Sequence, residues 1–521
     1  LKFWSNAPKA EPFSSHNPKG LDRASFFIIY WRSGNHLSIR KTKIVATLGP
    51  ASSSEEIIAR MIVAGVDVVR LNFSHGSAEE HIQRAALVRS IAVKLGRPVG
   101  VLCDLQGPKI RIGKFELGSI SLQVGDKFIL DAECALGNQQ RVGLDYKTLP
   151  QEVAPGAVLL LDDGRVVMSV DRVEKSCVYC TVVTGGVLSN NKGINRQGGG
   201  LSAAALTDKD KQDIKTAVAL EADFIALSFP RSGKDVLDAR KLVIKAGGTA
   251  SIVAKIERAE AIEALEEIID ASDVIMVARG DLGVEVGDAA VPGLQKRMIR
   301  MARARNKVVI TATQMLESMI NNPIPTRAEV SDVANAVLDG TDAVMLSAES
   351  AIGQYPLQAV SAMHRVCLEA EREYLAQDNT QRHSVEFQRV DEAIAMAAIY
   401  TARHLKVKAI AALTQSGASA QWLSRGDAEV PIYALSPEKT ARRKLTLYRG
   451  VYPFPIDQSD KDRDMILHEM ENTLLRHAVI QQGDLVLMTF GEPIGEAGDT
   501  NTMRIIKVGK GPIIANADKR V

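Results

Sequence analysis

At 521 residues the chain is too long for one hydrophobic core and implies two to four domains. Apolar residues (46%) and charged residues (24%) stand at ordinary soluble values, and a formal net charge of +2 gives no global bias toward nucleic acid or an acidic membrane. Five cysteines, an odd number spread along the chain, argue against a secreted disulfide framework, and no apolar run approaches the roughly 20 residues of a membrane-spanning helix.

The opening segment, 1–37, lacks periodicity and carries scattered bases. Its apolar run "FFIIYW" (26–31) is too short for a signal-peptide core, and no small-residue cleavage site stands out. It is expected to be an unstructured or non-native extension on a cytoplasmic protein. Regular structure begins at "IRKTKIVATLGP". From there eight apolar runs follow: "KIVATLG" (43–49), "DVVRLNFS" (67–74), "VGVLCDLQ" (99–106), "DFIALSF" (223–229), "SIVAKIE" (251–257), "DVIMVARGD" (273–281), "KVVITAT" (307–313) and "DAVMLSAE" (342–349). Between most of them lie stretches such as "SEEIIARMIVAG", apolar at helical spacing and ending near Gly or Asn. Buried strands alternating with helices predict parallel β/α units, and eight of them predict a closed (β/α)8 barrel spanning 38–107 and 205–374.

The long interval between the third and fourth runs has another character. "GSISLQVGDKFILD" and "GAVLLLDDGRVVMSVDRVEKSCVYCTVV" alternate with Gly turns, and "GGG" stands at 198–200, so an all-β lid is expected to be inserted over 108–204. Cys177 and Cys180 spell C-x-x-C there, but no second pair or nearby histidine completes a zinc site, and on a strand they face opposite sides. A polar stretch, "LAQDNTQRHSVEFQRVD", reads as a linker. Beyond it "KAIAALTQSG", "VPIYALS", "GVYPFPI" and "GDLVLMTFG" predict strands of a smaller α/β domain over 375–521.

In such barrels the active site lies where the strands end. The residues found there are Arg70, Asn72, Ser74, Asp104, Arg111, Ser228, Lys255, Glu257, Arg279, Asp281, Thr313, Ser347 and Glu349. Any one alone is most simply a solvated loop residue; acids, cations and hydroxyls from several strands on one rim are harder to dismiss. Lys255 and Glu257 are two apart and share a strand face, and Asp281 follows a Gly turn. Two carboxylates with room for water and substrate oxygens suit a hard octahedral cation, Mg²⁺ or Mn²⁺, better than zinc. If "GDLGVE" opens a helix, its free N–H groups suit an anion. These features point to a cation-bridged anionic substrate and, with Lys255, to phosphoryl transfer. A Mg²⁺-dependent lyase of enolates shares the acids but has no reason for the lid. A non-catalytic relative of the same fold is the second alternative, and a dinucleotide oxidoreductase lacks a full G-x-G-x-x-G after any strand.

"RLNFSHG", "GPKIR", "AKIE", "MVARGDLGVE", "TATQMLESM", "PTRAEVSDVANAVLDGTDAVMLSAES" and "TNTMRI" resemble pyruvate kinases, in that order, from about Ile39 to the C-terminus. The resemblance implies transfer of a phosphoryl group from phosphoenolpyruvate to ADP, giving pyruvate and ATP, and a homotetramer. It implies that Lys255 neutralises the phosphoryl oxygens and that Glu257 and Asp281 hold the divalent metal. Ala278, Arg279 and Gly280 would receive the substrate carboxylate with Thr313, and Ser228 lies on the substrate side. Arg70 would reach the transferring phosphate, and Arg111, Asp163 and Lys192 the nucleotide. Thr313 and Ser347 resemble the proton-delivery region. Thr414, Ser416, Gly417 and Ser419 fall where the family binds phosphorylated activators. No basic residue stands at 417–420, so a sugar monophosphate or AMP is the expected effector.

One segment departs from the pattern. Many relatives hold potassium with Asn, Ser, Asp and a Thr carbonyl, beside a strand end reading Asp-Thr-Lys-Gly-Pro-Glu. The matching positions are Asn72, Ser74, Asp104 and the Leu105 carbonyl, but Leu105, Gln106 and Lys109 stand at the variable places. The Lys109 ammonium is expected to replace the ion's charge, since two neighbouring cations repel, and the enzyme is expected not to need potassium.

Overall fold

The computed structural model describes residues 39–376, 387–458, 462–494 and 500–509. The expected extension over 1–37 and most of the expected linker lie outside these residues. Eight parallel strands close into a barrel: β1 (Lys43–Leu48), β2 (Val68–Asn72), β3 (Gly100–Asp104), β4 (Phe224–Leu227), β5 (Ser251–Ile256), β6 (Val274–Ala278), β7 (Val308–Ala312) and β8 (Ala343–Leu346), with β8 pairing back onto β1. They are the eight runs read from the sequence. Their continuous apolarity follows from burial on both faces. Ile44, Ala46, Val101, Cys103, Ile252 and Ala254 point outward to the helices, whereas Val45, Val68, Leu102, Phe224, Val253, Met276 and Ile310 fill the interior.

Four of the strands are preceded by an aspartate whose carboxylate accepts the N–H of a residue in the neighbouring strand. Asp67 accepts from Ile44 (2.9 Å), Asp223 from Val101 (2.8 Å), Asp273 from Ile252 (2.7 Å) and Asp342 from Val309 (2.8 Å). These acids fix the strand N-termini, which form the closed end of the barrel. The C-terminal domain seals that end. Its Leu447 joins the interior cluster, Lys43 Nζ donates to the Val451 carbonyl at 2.6 Å, and Arg425 pairs with Asp342. The opposite mouth, at the strand C-termini, is left for ligands.

Between β3 and β4 the chain builds the lid. A six-stranded sheet runs in the order Ile194–Arg196, Val158–Leu161, Val166–Glu174, Cys177–Thr184, Lys127–Asp131, Arg141–Gly143, and Ser119–Leu122 pairs with Gly186–Ser189 in a separate ribbon. Phe128, Leu130, Leu159, Leu161 and Met168 belong to a core of its own. Cys180 is buried and its thiol is pushed up to about 12 by that burial, as suits an inert strand residue.

The C-terminal sheet has the order β11-β10-β9-β12-β13, made of β9 (Ala409–Leu413), β10 (Ile432–Ser436), β11 (Val451–Pro455), β12 (Leu485–Gly491) and β13 (Thr500–Lys507). The first four match sequence expectation. β13 runs antiparallel to β12 and was not read as a strand. As an edge strand with mostly half-buried, mixed side chains it lacks the apolar signal of its neighbours. β11, on the other edge, accommodates Pro453 and Pro455 there.

Candidate active site

Strand periodicity builds the site. Residues two positions beyond inward-facing Val45, Val68, Leu102 and Val253 are Thr47, Arg70, Asp104 and Lys255, so all four point into the barrel mouth. The structure brings them together. Arg70 Nε donates to Asp104 Oδ2 at 2.7 Å and its Nη1 to Thr47 Oγ1 at 3.0 Å. Lys255 Nζ lies 3.2 Å from Asp104 Oδ1 and 2.9 Å from Glu257 Oε1, and donates to Ser228 Oγ at 2.8 Å. Thr47 was missed from sequence; the only signal was its place at the end of β1, on the inward parity.

Burial disfavours the charges on Asp104, Lys255 and Glu257, and for the first two the neighbours outweigh it. For Asp104, burial is outweighed by Lys255 and Arg70, which hold its carboxyl below the usual range. For Lys255, burial is outweighed by Asp104 and Glu257, which keep it protonated. Glu257 is pushed up to about 7 by burial, with Lys255 opposing and Asp281 reinforcing. A buried network of this kind adds little to stability, because desolvation offsets the Coulombic gain. Its placement at a barrel mouth marks function.

The segment after β6 turns directly into a helix, Arg279–Val286. Thr313 Oγ1 accepts the Gly280 N–H at 2.8 Å. The Arg279 side chain turns away, donating to the Thr313 carbonyl (2.7 Å) and pairing with Asp332 (2.7 Å), so it presents backbone rather than guanidinium to the mouth. Thr313 and Gln314 both have positive φ, +67° and +54°, and Phe229, after β4, has +55°. A β-branched residue in that region is strained, and such strain gathers at functional sites. Beyond β8, Ser347 N donates to Glu349 Oε2 at 2.7 Å and Leu316 N to Glu349 Oε1 at 3.1 Å. Glu349 is therefore a buried brace between the ends of β7 and β8 and not a rim acid.

Lys109 makes its ion pair with Asp281, Nζ to Oδ1 at 3.4 Å. In the group expected around it, Ser74 N donates to Asn72 Oδ1 at 3.1 Å, Ser228 Oγ donates to the Leu105 carbonyl at 2.7 Å, and Asp104 is held by Arg70 and Lys255. With Asp104 already neutralised, the ammonium goes to Asp281 instead. Glu257 and Asp281 are thus each matched by a lysine. Among the described residues no group of three or more His, Cys, Asp or Glu could hold a metal ion.

On the lid, Arg111 bridges to Gly193 and donates to the Asn191 carbonyl at 3.1 Å, while Lys192 pairs with Asp162 at 2.8 Å. Asp163 is exposed in the same turn, with φ +57°. Arg111, Asp163 and Lys192 therefore gather at one end of the lid sheet. In the C-terminal domain Gly417, at φ +96°, packs so that a Cβ would lie 3.2 Å from Leu445. Thr414 Oγ1 accepts the Gly417 N–H at 2.9 Å, Ser416 Oγ accepts that of Ala418 at 3.4 Å, and the Ser419 hydroxyl bonds that of Thr500.

Residues 39–360 match the family profile of the pyruvate kinase barrel domain, and 392–506 that of the pyruvate kinase alpha/beta domain. Pyruvate kinase II of Salmonella typhimurium is 54% identical over 476 residues, covering 90% of this chain and 99% of that protein. A pyruvate kinase of Haemophilus influenzae is 53% identical over 479 residues, with the same coverage, and one of Geobacillus stearothermophilus is 42% identical over 470 residues, covering 89% of this chain and 80% of its own.

Proposed function

The chain belongs to the pyruvate kinase family and is a phosphotransferase, and from that premise we propose how its own residues move the phosphoryl group of phosphoenolpyruvate to ADP. The bond from phosphorus to the enol oxygen breaks, one to a β-phosphate oxygen of ADP forms, and the enolate left behind takes a proton at carbon to give pyruvate. The observation that carries the reading is Lys255 Nζ at the barrel mouth, within 3.2 Å of Asp104, 2.9 Å of Glu257 and 2.8 Å of Ser228. A permanently charged ammonium held by two carboxylates and a hydroxyl is preorganised for charge that develops on the transferring oxygens.

Arg70, on β2 and oriented by Asp104 and Thr47, binds the phosphate from across the mouth. Ala278, Arg279 and Gly280 form the turn at a helix start that receives the substrate carboxylate, and Thr313 Oγ1, which holds the Gly280 N–H, fixes that turn. Thr313 and Ser347 stand where the carbon proton is delivered. Arg111, Asp163 and Lys192 close with the lid over the nucleotide and keep water from the phosphoryl group.

Glu257 and Asp281 fit a divalent ion. Both are carboxylates, and the raised proton affinity of Glu257 comes from its burial, with Asp281 adding to it. As two ligands they suit Mg²⁺ or Mn²⁺, which keep several water and substrate oxygens. When bound, the ion neutralises phosphate charge and polarises the enol oxygen. Lys109, 3.4 Å from Asp281, brings a fixed positive charge to the same mouth and supports independence from potassium. Residues 414–419, which lead into and open the helix Ala418–Arg425, support activation by AMP or a sugar monophosphate, and exposed Val390, Tyr400 and Leu405 on the helix Val390–Leu405 support self-association into the expected homotetramer.

The test is a coupled assay. Phosphoenolpyruvate should be consumed only with ADP present, with ATP and pyruvate formed in equal amounts. Consumption without ADP would favour the lyase reading.

A further inference from the structure

The lid returns to the barrel through "INRQGGGLSA", and its three glycines all have positive φ, +78°, +77° and +91° at Gly198, Gly199 and Gly200. Two carboxylates meet this turn. The Glu260 carboxylate accepts the Gly200 N–H and fills the space beside Gly199, where a Cβ would lie 2.7 Å from its oxygen. Glu285, 7% exposed, accepts from Asn195 Nδ2 at 3.4 Å through Oε1, and its carbonyl accepts the Gly198 N–H at 3.1 Å. Its other carboxylate oxygen accepts the Ala259 N–H at 2.9 Å. Arg258 reinforces the junction by donating to the Leu201 carbonyl at 3.3 Å.

These partners belong to three elements. Ala259 and Glu260 follow Glu257 by two and three residues, and Glu285 sits one turn along the helix that carries Asp281. A single carboxylate therefore joins the lid's return strand, the end of β5 and the helix after β6.

We propose that Glu285 and Glu260 are positioning residues that clasp the lid to the two barrel elements bearing Glu257 and Asp281, so that lid position and the placement of those two carboxylates change together. The glycine run is required because the turn needs the left-handed conformation three times in succession, and at Gly199 a side chain would also displace the Glu260 carboxylate. The inference rests on the reading of Glu257 and Asp281 as metal ligands. Neither glutamate touches the reacting atoms; each acts through the backbone of a neighbour.

The experiment uses the full chain with Glu285→Gln and with Gly199→Ala. Mn²⁺ binding is measured by electron paramagnetic resonance without substrates, and KM for each substrate at saturating Mg²⁺. Gly199 is not a proposed ligand, so any loss of metal affinity in that variant reports the linkage. Both variants should bind Mn²⁺ more weakly on the order of tenfold, the usual effect of removing a group that orients a metal ligand. KM for ADP should rise by a similar factor and that for phosphoenolpyruvate much less. Unchanged Mn²⁺ affinity and unchanged KM for ADP in folded variants would overturn the proposal, as would a fall in kcat alone. If the wild-type chain failed to transfer phosphoryl at all, the functional reading would fall, while the Mn²⁺ titration would still decide the clasp.

Discussion

Lys109 and Asp281 face each other across the barrel mouth with Nζ 3.4 Å from Oδ1, although the two residues come from segments 172 positions apart in sequence. One leaves β3 toward the lid; the other opens the helix after β6. An ammonium thereby reaches a carboxylate that no other cation pairs with in this site, while Lys255 takes the corresponding place at Glu257.

Replacing that ammonium by a carboxylate sets like charges against each other at the mouth. Lys109→Glu should lower the rate on the order of 10- to 100-fold in buffer free of sodium and potassium, a range typical for losing a group that orients a metal ligand. Part of the loss should return on adding KCl. The wild type should be nearly indifferent to KCl, and a large activation of it would contradict potassium independence.

Lys255→Met removes the charge placed for the transferring phosphoryl group. The loss should fall on kcat, by about 10²- to 10³-fold, the usual effect of deleting one preorganised transition-state donor. KM for phosphoenolpyruvate should move far less. A raised KM with intact kcat would assign Lys255 to ground-state binding only.

AMP or a sugar monophosphate should lower KM for phosphoenolpyruvate through residues 414–419. There the Thr414 and Ser419 hydroxyls are held by internal bonds, whereas Ser416 accepts only a long 3.4 Å bond from the Ala418 N–H and is the most readily turned to a phosphate. Ser416→Glu should abolish this activation by like-charge repulsion. If saturating AMP and sugar monophosphates all leave wild-type KM unchanged, the effector reading is wrong.

At the closed end, His364 Nδ1 accepts from Arg40 Nε at 3.1 Å, and burial, aided by the Arg40 charge, pushes the imidazole down to about 4. Between that value and the unfolded value near 6.5 the unfolded chain binds more protons. The stability it contributes is complete above about pH 6.5 and declines as pH falls toward 4, by about 1–2 kcal/mol for a partly solvated ring. His364→Gln keeps an acceptor for Arg40 and does not titrate. Its thermal midpoint should fall less than the wild type's between pH 6.5 and 4.5; an identical slope would rule the histidine out.

The barrel was legible because its strands are buried on both faces and announce themselves as continuous apolar runs. Lys255, Glu257 and Arg70 were legible because period-2 alternation aims strand-end residues inward. β13 was not, since an edge strand with mixed side chains looks like a loop. The destination of Lys109 was not legible either, because it depends on Arg70 and Lys255 having already neutralised Asp104, a contact between strands that spacing along the chain does not encode. Glu349 failed for the opposite reason: a strand-end acid can turn back to brace two backbone N–H groups.

The central claim is tested most directly by following phosphoenolpyruvate, ADP, ATP and pyruvate together with the purified chain and Mg²⁺. The account predicts one ATP and one pyruvate for each phosphoenolpyruvate consumed, with no consumption when ADP is omitted and a collapse of rate in Lys255→Met. Consumption independent of ADP, or equal rates in the wild type and Lys255→Met, would contradict it.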